Sequence, residues 1–256
     1  MKKQGAEIVP EKLDSPINFK VIVAIASFVL GFHFLVNYSE DSDSLIYSFS
    51  MIIPLSVSIF AFLISRRYSG TLVYSKAYIM LGVAFLFMFF AELTYFVYEQ
   101  ILDLDPYPSI ADVFFFAFYP LIVAYLVINL RFFAPKISKR RLSLIIVMPI
   151  IVTLIYIYLT ILDFGSFDFY YGIIFITSAS LTLGLAIHTA RIFKDGLIGT
   201  AWMILVIGII LNLFGDTWYY YIEVIGEYSL ADPVNLCWYS AYLLILYALY
   251  KHKKAF

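Results

Sequence analysis

Charge is what this chain has least of. Only 14% of its 256 residues are Asp, Glu, Lys or Arg, against 63% hydrophobic, which is more apolar surface than a soluble core of this size can hide. A bilayer has to be its solvent. There is a single cysteine, Cys237, which excludes an internal disulfide and any multi-cysteine zinc or redox motif and reads as inert packing. The net charge of -1 comes with cations scattered over short loops, so no basic groove can be assembled and nucleic acid is excluded as a partner. No Ser-His-Asp set, HExxH, GxGxxG or P-loop is present, and no acidic pair has a neighbouring nucleophile, which disfavours an enzyme. His33 and His188 are expected near opposite membrane faces, too far apart to share a metal, and His252 is expected among solvent or lipid headgroups in a basic tail. No cofactor and no metal is expected.

What the chain does have is long apolar runs and aromatics. A span needs about 20 mostly apolar residues to cross about 30 Å of hydrocarbon. Eight stretches qualify: 17–38, 46–65, 77–98, 110–132, 142–162, 168–190, 200–222 and 230–250. Continuous runs of this length are helical rather than the alternating pattern of barrel strands. The expected fold is an all-α integral membrane protein. The first stretch follows a mixed-charge segment, residues 1–16, and lacks a small-residue cleavage site, so it is expected to remain as an uncleaved helix. With 22 Tyr and 3 Trp, many near span ends, part of the aromatic enrichment is the ordinary interfacial preference of amphipathic rings.

Charge sets the expected orientation. All 17 Lys and Arg fall before or at the opening of span one, between spans two and three, at the end of span four or between it and span five, between spans six and seven, or after span eight. The positive-inside rule puts both termini and these loops in the cytoplasm. The opposite loops carry Glu40, Asp41, Asp43, Glu99, Asp103, Asp105, Asp112, Asp163, Asp168, Glu223, Glu227 and Asp232 with no compensating cation. The outer face is therefore expected to be acidic.

The chain also repeats itself. A shift of 124 aligns Arg67 with Arg191, Ala77 with Ala201, Tyr78 with Trp202, Glu92 with Asp216, Tyr95 with Tyr219 and Glu99 with Glu223. A shift of 120 aligns Ala111 and Asp112 with Ala231 and Asp232, and Tyr119 with Tyr239. Two four-helix repeats, 17–132 and 142–250, are expected in one membrane domain, 17–250, flanked by a cytoplasmic tail at 1–16 and a basic tail at 251–256. An even number of spans per repeat makes the copies parallel, so both copies of any site open to the same side.

Glu92 and Asp216 are the two acids placed inside spans. An ionisable group there costs up to about 3 kcal/mol near the bilayer centre and usually faces the bundle interior or a water-filled cavity. Glu92, Tyr95 and Glu99 share one helix face, as do Asp216, Tyr219 and Glu223. A cation, an amine or a proton can be held on such a face, with Tyr98, Tyr220 and Trp218 available for cation–π contact. The competing reading is a neutral carboxyl hydrogen-bonded to a neighbouring helix and serving assembly. Ser109-x-x-Asp112 and Ser229-x-x-Asp232 have the form of capping boxes opening apolar helices, a role compatible with adding charge to a vestibule rim. Asn212, whose counterpart is Met88, is expected to bond across helices.

Residues 106–126, PYPSIADVFFFAFYPLIVAYL, resemble the Pro-Ser-x-Ala-Asp-x-Phe-x(4)-Tyr-Pro signature of the multi-span N-terminal sensor regions of some bacterial diguanylate cyclases and related signalling proteins, through Pro108, Ser109, Ala111, Asp112, Phe114, Tyr119 and Pro120. The second half keeps Ser229, Ala231, Asp232 and Tyr239, with Ser240 in place of the second proline. The resemblance implies a membrane module that senses a signal and passes it to a cytoplasmic output domain. Because the chain runs only six residues past its last predicted span, a stand-alone receptor or sensor-like module is expected, working with a cytoplasmic or membrane signalling partner. Its small ligand or cation would bind at Glu92, Tyr95, Glu99, Asp112, Asp216, Tyr219, Glu223 and Asp232. The rival expectations are an ion-coupled transporter or channel, with Glu92 and Asp216 at the interface of the halves, and a structural subunit of a membrane complex.

The orientation is testable through the lone thiol. In a Cys237→Ser background, a cysteine introduced at Asp163 is expected to react with a membrane-impermeant maleimide on intact cells, and one at Lys136 only after permeabilisation. The opposite labelling pattern overturns the orientation.

Overall fold

The structure is a computed structural model that describes residues 17–39, 42–71, 74–133, 139–193, 199–225 and 228–254. The predicted tail 1–16, much of the basic connection 133–141, and the loop acids Glu40, Asp41 and Glu227 lie outside these residues. Among the described residues there is no strand, and eight long α-helices follow in order: α1 (Phe19–Tyr38), α2 (Ser42–Arg67), α3 (Tyr74–Phe96), α4 (Ile110–Phe133), α5 (Lys139–Leu159), α6 (Phe167–Phe193), α7 (Gly199–Ile225) and α8 (Asn235–Lys254). Six of them, α1 to α4, α6 and α7, are long and apolar enough to cross a membrane. α5 contributes a shorter apolar stretch, Ile145–Leu159. α8 carries four tyrosines and a basic end, which lower its hydropathy although it has the length of a span.

Local chemistry explains the ends. Asn18 caps α1, its side-chain oxygen accepting from Lys20 N at 3.1 Å. α2 outruns the predicted 46–65 at both ends because Asp43 sits in its first turn and Arg66 and Arg67 in its last, each complementing the helix dipole. α3 passes into a π-helical turn at Val97–Ile101, closed by Leu102 N on the Val97 carbonyl at 3.0 Å. Such turns recur at functional sites. α8 begins at Asn235, later than the predicted 230. The reason is Pro233: a residue preceding proline is driven out of the α region, so Asp232 cannot be helical. The segment reaches the helix through single turns instead, with Asp232 N on Ser229 O at 3.0 Å and Asn235 N on Asp232 O at 3.1 Å.

α2 packs on α3 and α3 on α4; α6 packs on α7 and α7 on α8; the two groups meet through α2 with α8 and α4 with α6. Their shared interior is apolar, with Leu81, Phe85, Phe118, Ile122, Leu126, Leu205, Ile209 and Ile245 fully buried. α1 and α5 stand at the periphery and expose apolar side chains, among them Phe19, Val23 and Phe34 on α1 and Ile150, Ile151 and Leu154 on α5. Exposed apolar area on this scale in a helical bundle fits a lipid surface.

Small residues bring helices close, as in other membrane bundles. At Gly208 on α7, a β-carbon would stand 2.6 Å from Ile245 Cγ1 and 2.9 Å from the Ala241 carbonyl oxygen of α8. Ser58 Oγ donates to the Gly82 carbonyl at 2.8 Å between α2 and α3, and Thr153 and Thr177 join α5 to α6 at 2.9 Å.

His252 departs from expectation. Only 1% of it is exposed, and its ring packs edge-on against Tyr78 and Trp202, with centroids 5.6 and 6.1 Å away. α8 stays helical through the basic residues and carries His252 back into the bundle, so it is a core residue rather than a tail residue.

Gly208→Ala is expected to destabilise the protein by about 1–3 kcal/mol through overpacking at a backbone oxygen. Gly31→Ala, where nothing lies within 4 Å of the added atom, is expected to be neutral or slightly stabilising. Melting in detergent compares the two, and equal losses would refute the close α7–α8 approach.

Candidate functional site

At the end of the bundle that carries the loops 102–109, 160–166 and 228–234, the helices part around a cavity of about 840 Å³. Glu92, Tyr95 and Glu99 line it from α3 and its π-helical extension; Asp216, Tyr219 and Glu223 line it from α7. Asp112 joins them from the first turn of α4. Seven of the eight residues singled out in the sequence therefore surround one space. Asp232 is not among the lining residues. Its carboxylate accepts from Ser229 N at 2.6 Å, closing the box on the turn before α8 rather than on a helix.

The equivalent box in the first half does open a helix. Ser109 Oγ accepts from Ala111 N at 3.1 Å, and Asp112 Oδ2 accepts from Ser109 N at 2.7 Å. The second Asp112 oxygen accepts from Tyr171 Oη at 2.5 Å. Asp112 is thus a cap and a cavity wall at once, 7% exposed, its charge matched by the helix N-terminus and a phenol.

Phenols are the recurring partners. Tyr47 Oη donates to Glu99. Tyr119 Oη donates to Asp216 Oδ2 at 3.0 Å, while Trp238 Nε1 donates to Asp216 Oδ1 at 2.9 Å and Asn212 Nδ2 reaches Oδ2 at 3.3 Å. The expected cross-helix role of Asn212 is thus a bond within α7, one turn from the acid. Tyr107 Oη donates to Asp168 Oδ1 at 2.7 Å, and its own N–H caps onto Asp105 Oδ1 at 2.9 Å. That pair fastens the loop between α3 and α4 to the start of α6. Burial, with the bonded Asp168 carboxylate adding to it, pushes the Tyr107 phenol up from its ordinary value, so it remains a neutral donor throughout the physiological range.

Among the described residues the lining holds eight carboxylates, ten tyrosines and no Lys, Arg or His. Its field is negative and its walls are aromatic, a combination that draws cations and repels anions. Among the described residues no group of three or more His, Cys, Asp or Glu is arranged to hold a metal ion.

Asp105, Asp163 and Asp168 also line the cavity. In the sequence they read only as part of an acidic face, since nothing local tells a loop acid that turns inward from one that faces water. Tyr119 carried a signal, being aligned with Tyr239 between the halves. Trp238 and Tyr171 carried none. Tyr220 lines the cavity as expected, whereas Tyr98 and Trp218 do not, and Trp218 packs on Phe214 with centroids 6.0 Å apart. Comparison with known family models, with curated proteins and with solved structures finds no match to this chain.

Asp216 sits at a node of three donors, so Asp216→Asn, which turns one acceptor towards a donor, is expected to cost about 1–3 kcal/mol. Glu92→Gln is expected to leave stability unchanged or to raise it, because it removes an enclosed charge and among the described residues Glu92 makes no hydrogen bond that the change breaks. Thermal or denaturant unfolding in detergent reads the difference.

Proposed function

We propose that this chain is a multi-pass membrane receptor or sensor-like module that takes a small ligand or cation into the acidic, aromatic cavity and passes the resulting helix shift to a signalling partner. The observation that carries this reading is the cavity itself, about 840 Å³ with eight carboxylates and no cation in its lining. Its size lies within the roughly 300–1,000 Å³ range of organic-ligand pockets. The resemblance of residues 106–126 to sensor regions points the same way.

In this reading all eight long helices span the bilayer as two parallel repeats, with both termini in the cytoplasm and the cavity open to the outside. Three features support the repeat. The contacts of α2 with α8 and of α4 with α6 exchange with each other when each helix is replaced by the one four later in the cycle, as a pseudo-two-fold axis requires. α1 and α5, also counterparts, are the two helices most exposed to lipid. The bonds from Ser109 N to the Asp112 carboxylate and from Ser229 N to the Asp232 carboxylate match at 2.7 and 2.6 Å. Against an open channel stands the packed apolar layer around Leu81, Phe85, Phe118, Ile209 and Ile245 on the far side of the cavity.

In proteoliposomes the protein is expected to move no ion or solute down an imposed gradient or potential, while a bound ligand raises its melting temperature. A charge-driven flux abolished by Glu92→Gln together with Asp216→Asn overturns the receptor reading in favour of transport. If no small molecule or cation in a broad panel alters melting, the binding role of the cavity is refuted.

A further inference from the structure

The two halves place an acid at matching positions and surround it differently. Asp216 accepts from Trp238, Tyr119 and Asn212. By the shifts of 120 and 124 that relate the halves, the counterparts of these donors around Glu92 are Phe118, Tyr239 and Met88. Phe118 and Met88 have nothing to donate. The Tyr239 ring is held edge-on to Phe32 and Phe49, at 5.4 and 4.8 Å between centroids, and its hydroxyl makes no bond to Glu92. Among the described residues Glu92 therefore has no hydrogen-bond or ion-pair partner, although it lines the cavity. A carboxylate enclosed in a helical bundle without a donor is costly, so this one is set for a partner that arrives from outside the chain.

From this asymmetry, and resting on the receptor reading of the same cavity, we propose that the occupant is an organic ammonium compound, with Glu92 as its counter-ion and Asp216 as a structural acid. A bare metal ion fits poorly: it needs several converging oxygens, no such group exists among the described residues, and Glu99, Asp112 and Asp216 already engage phenols. An anion meets eight carboxylates and no cation. An ammonium on a carbon chain fits both features of the lining. Its charge pairs with Glu92, and its N–H or N-alkyl groups lie against the rings of Tyr95, Phe115 and Tyr228, which share the cavity with Glu92 and supply cation–π attraction.

The full chain in nanodiscs is titrated calorimetrically with 1,5-diaminopentane and tetraethylammonium, and separately with calcium, magnesium and sodium chlorides and a neutral sugar. At least one of the two ammonium probes is expected to bind with 1:1 stoichiometry, and the metal ions are not. Glu92→Gln is expected to weaken that binding by about tenfold or more, Glu92→Asp, which keeps the charge, to retain more of it, and Asp232→Asn, outside the cavity, to leave it unchanged. Melting curves confirm that each variant is folded. Binding of calcium or magnesium in place of both amines, failure of both amines, or amine binding indifferent to Glu92→Gln each overturns the inference. The receptor reading survives if the metal or the neutral sugar still binds in the cavity, and fails with the inference if nothing binds.

Discussion

A carboxylate among packed helices is tolerable only where donors reach it, and this constraint organises the upper half of the bundle. Asp216 needs Trp238 from α8, Tyr119 from α4 and Asn212 from its own helix. Those three bonds tie α4, α7 and α8 around one acid. Trp238 can reach it because Gly215 leaves room: a β-carbon there would stand 2.8 Å from the indole nitrogen. Asp112 links α4 to α6 through Tyr171, Glu99 links the end of α3 to α2 through Tyr47, and Asp168 holds the α3–α4 loop through Tyr107. The cavity walls are thus cross-braced by acid–phenol pairs, each joining elements distant in sequence.

Phenols suit this task in a membrane. They bring a donor on a rigid apolar ring, so the donor's body packs with the helices while its hydroxyl meets the charge. The Tyr107 phenol, pushed up by burial and by Asp168, keeps its proton as the pairing requires. Glu92, enclosed between the helices, has no such phenol among the described residues. Met88 and Phe118, which share the cavity lining with it, carry no donor.

The opposite end is built otherwise. Tyr78, Tyr125, Trp202 and His252 form a ring-packed layer, with Tyr125 stacked on Trp202 at 5.5 Å and 7°, and the apolar core between this layer and the cavity is filled. The cavity is therefore backed by packed apolar side chains.

The helical class and the membrane setting are legible in the chain itself. Apolar run length and the helical period that groups Glu92, Tyr95 and Glu99 are local properties, and transfer to a bilayer acts on them residue by residue. The helix start at Asn235, after Pro233, was open to the same local reasoning. What tertiary structure alone decided is which loop acids turn inward, that Asp216 has donors and Glu92 has none among the described residues, and that His252 lies in the core. Each depends on side chains brought together from helices far apart in sequence: Trp238 and Tyr119 on Asp216, Tyr107 on Asp168, Tyr78 and Trp202 on His252. A hydrogen bond or a ring contact acts over a few ångströms, and only the packing of the helices determines which residues come that close.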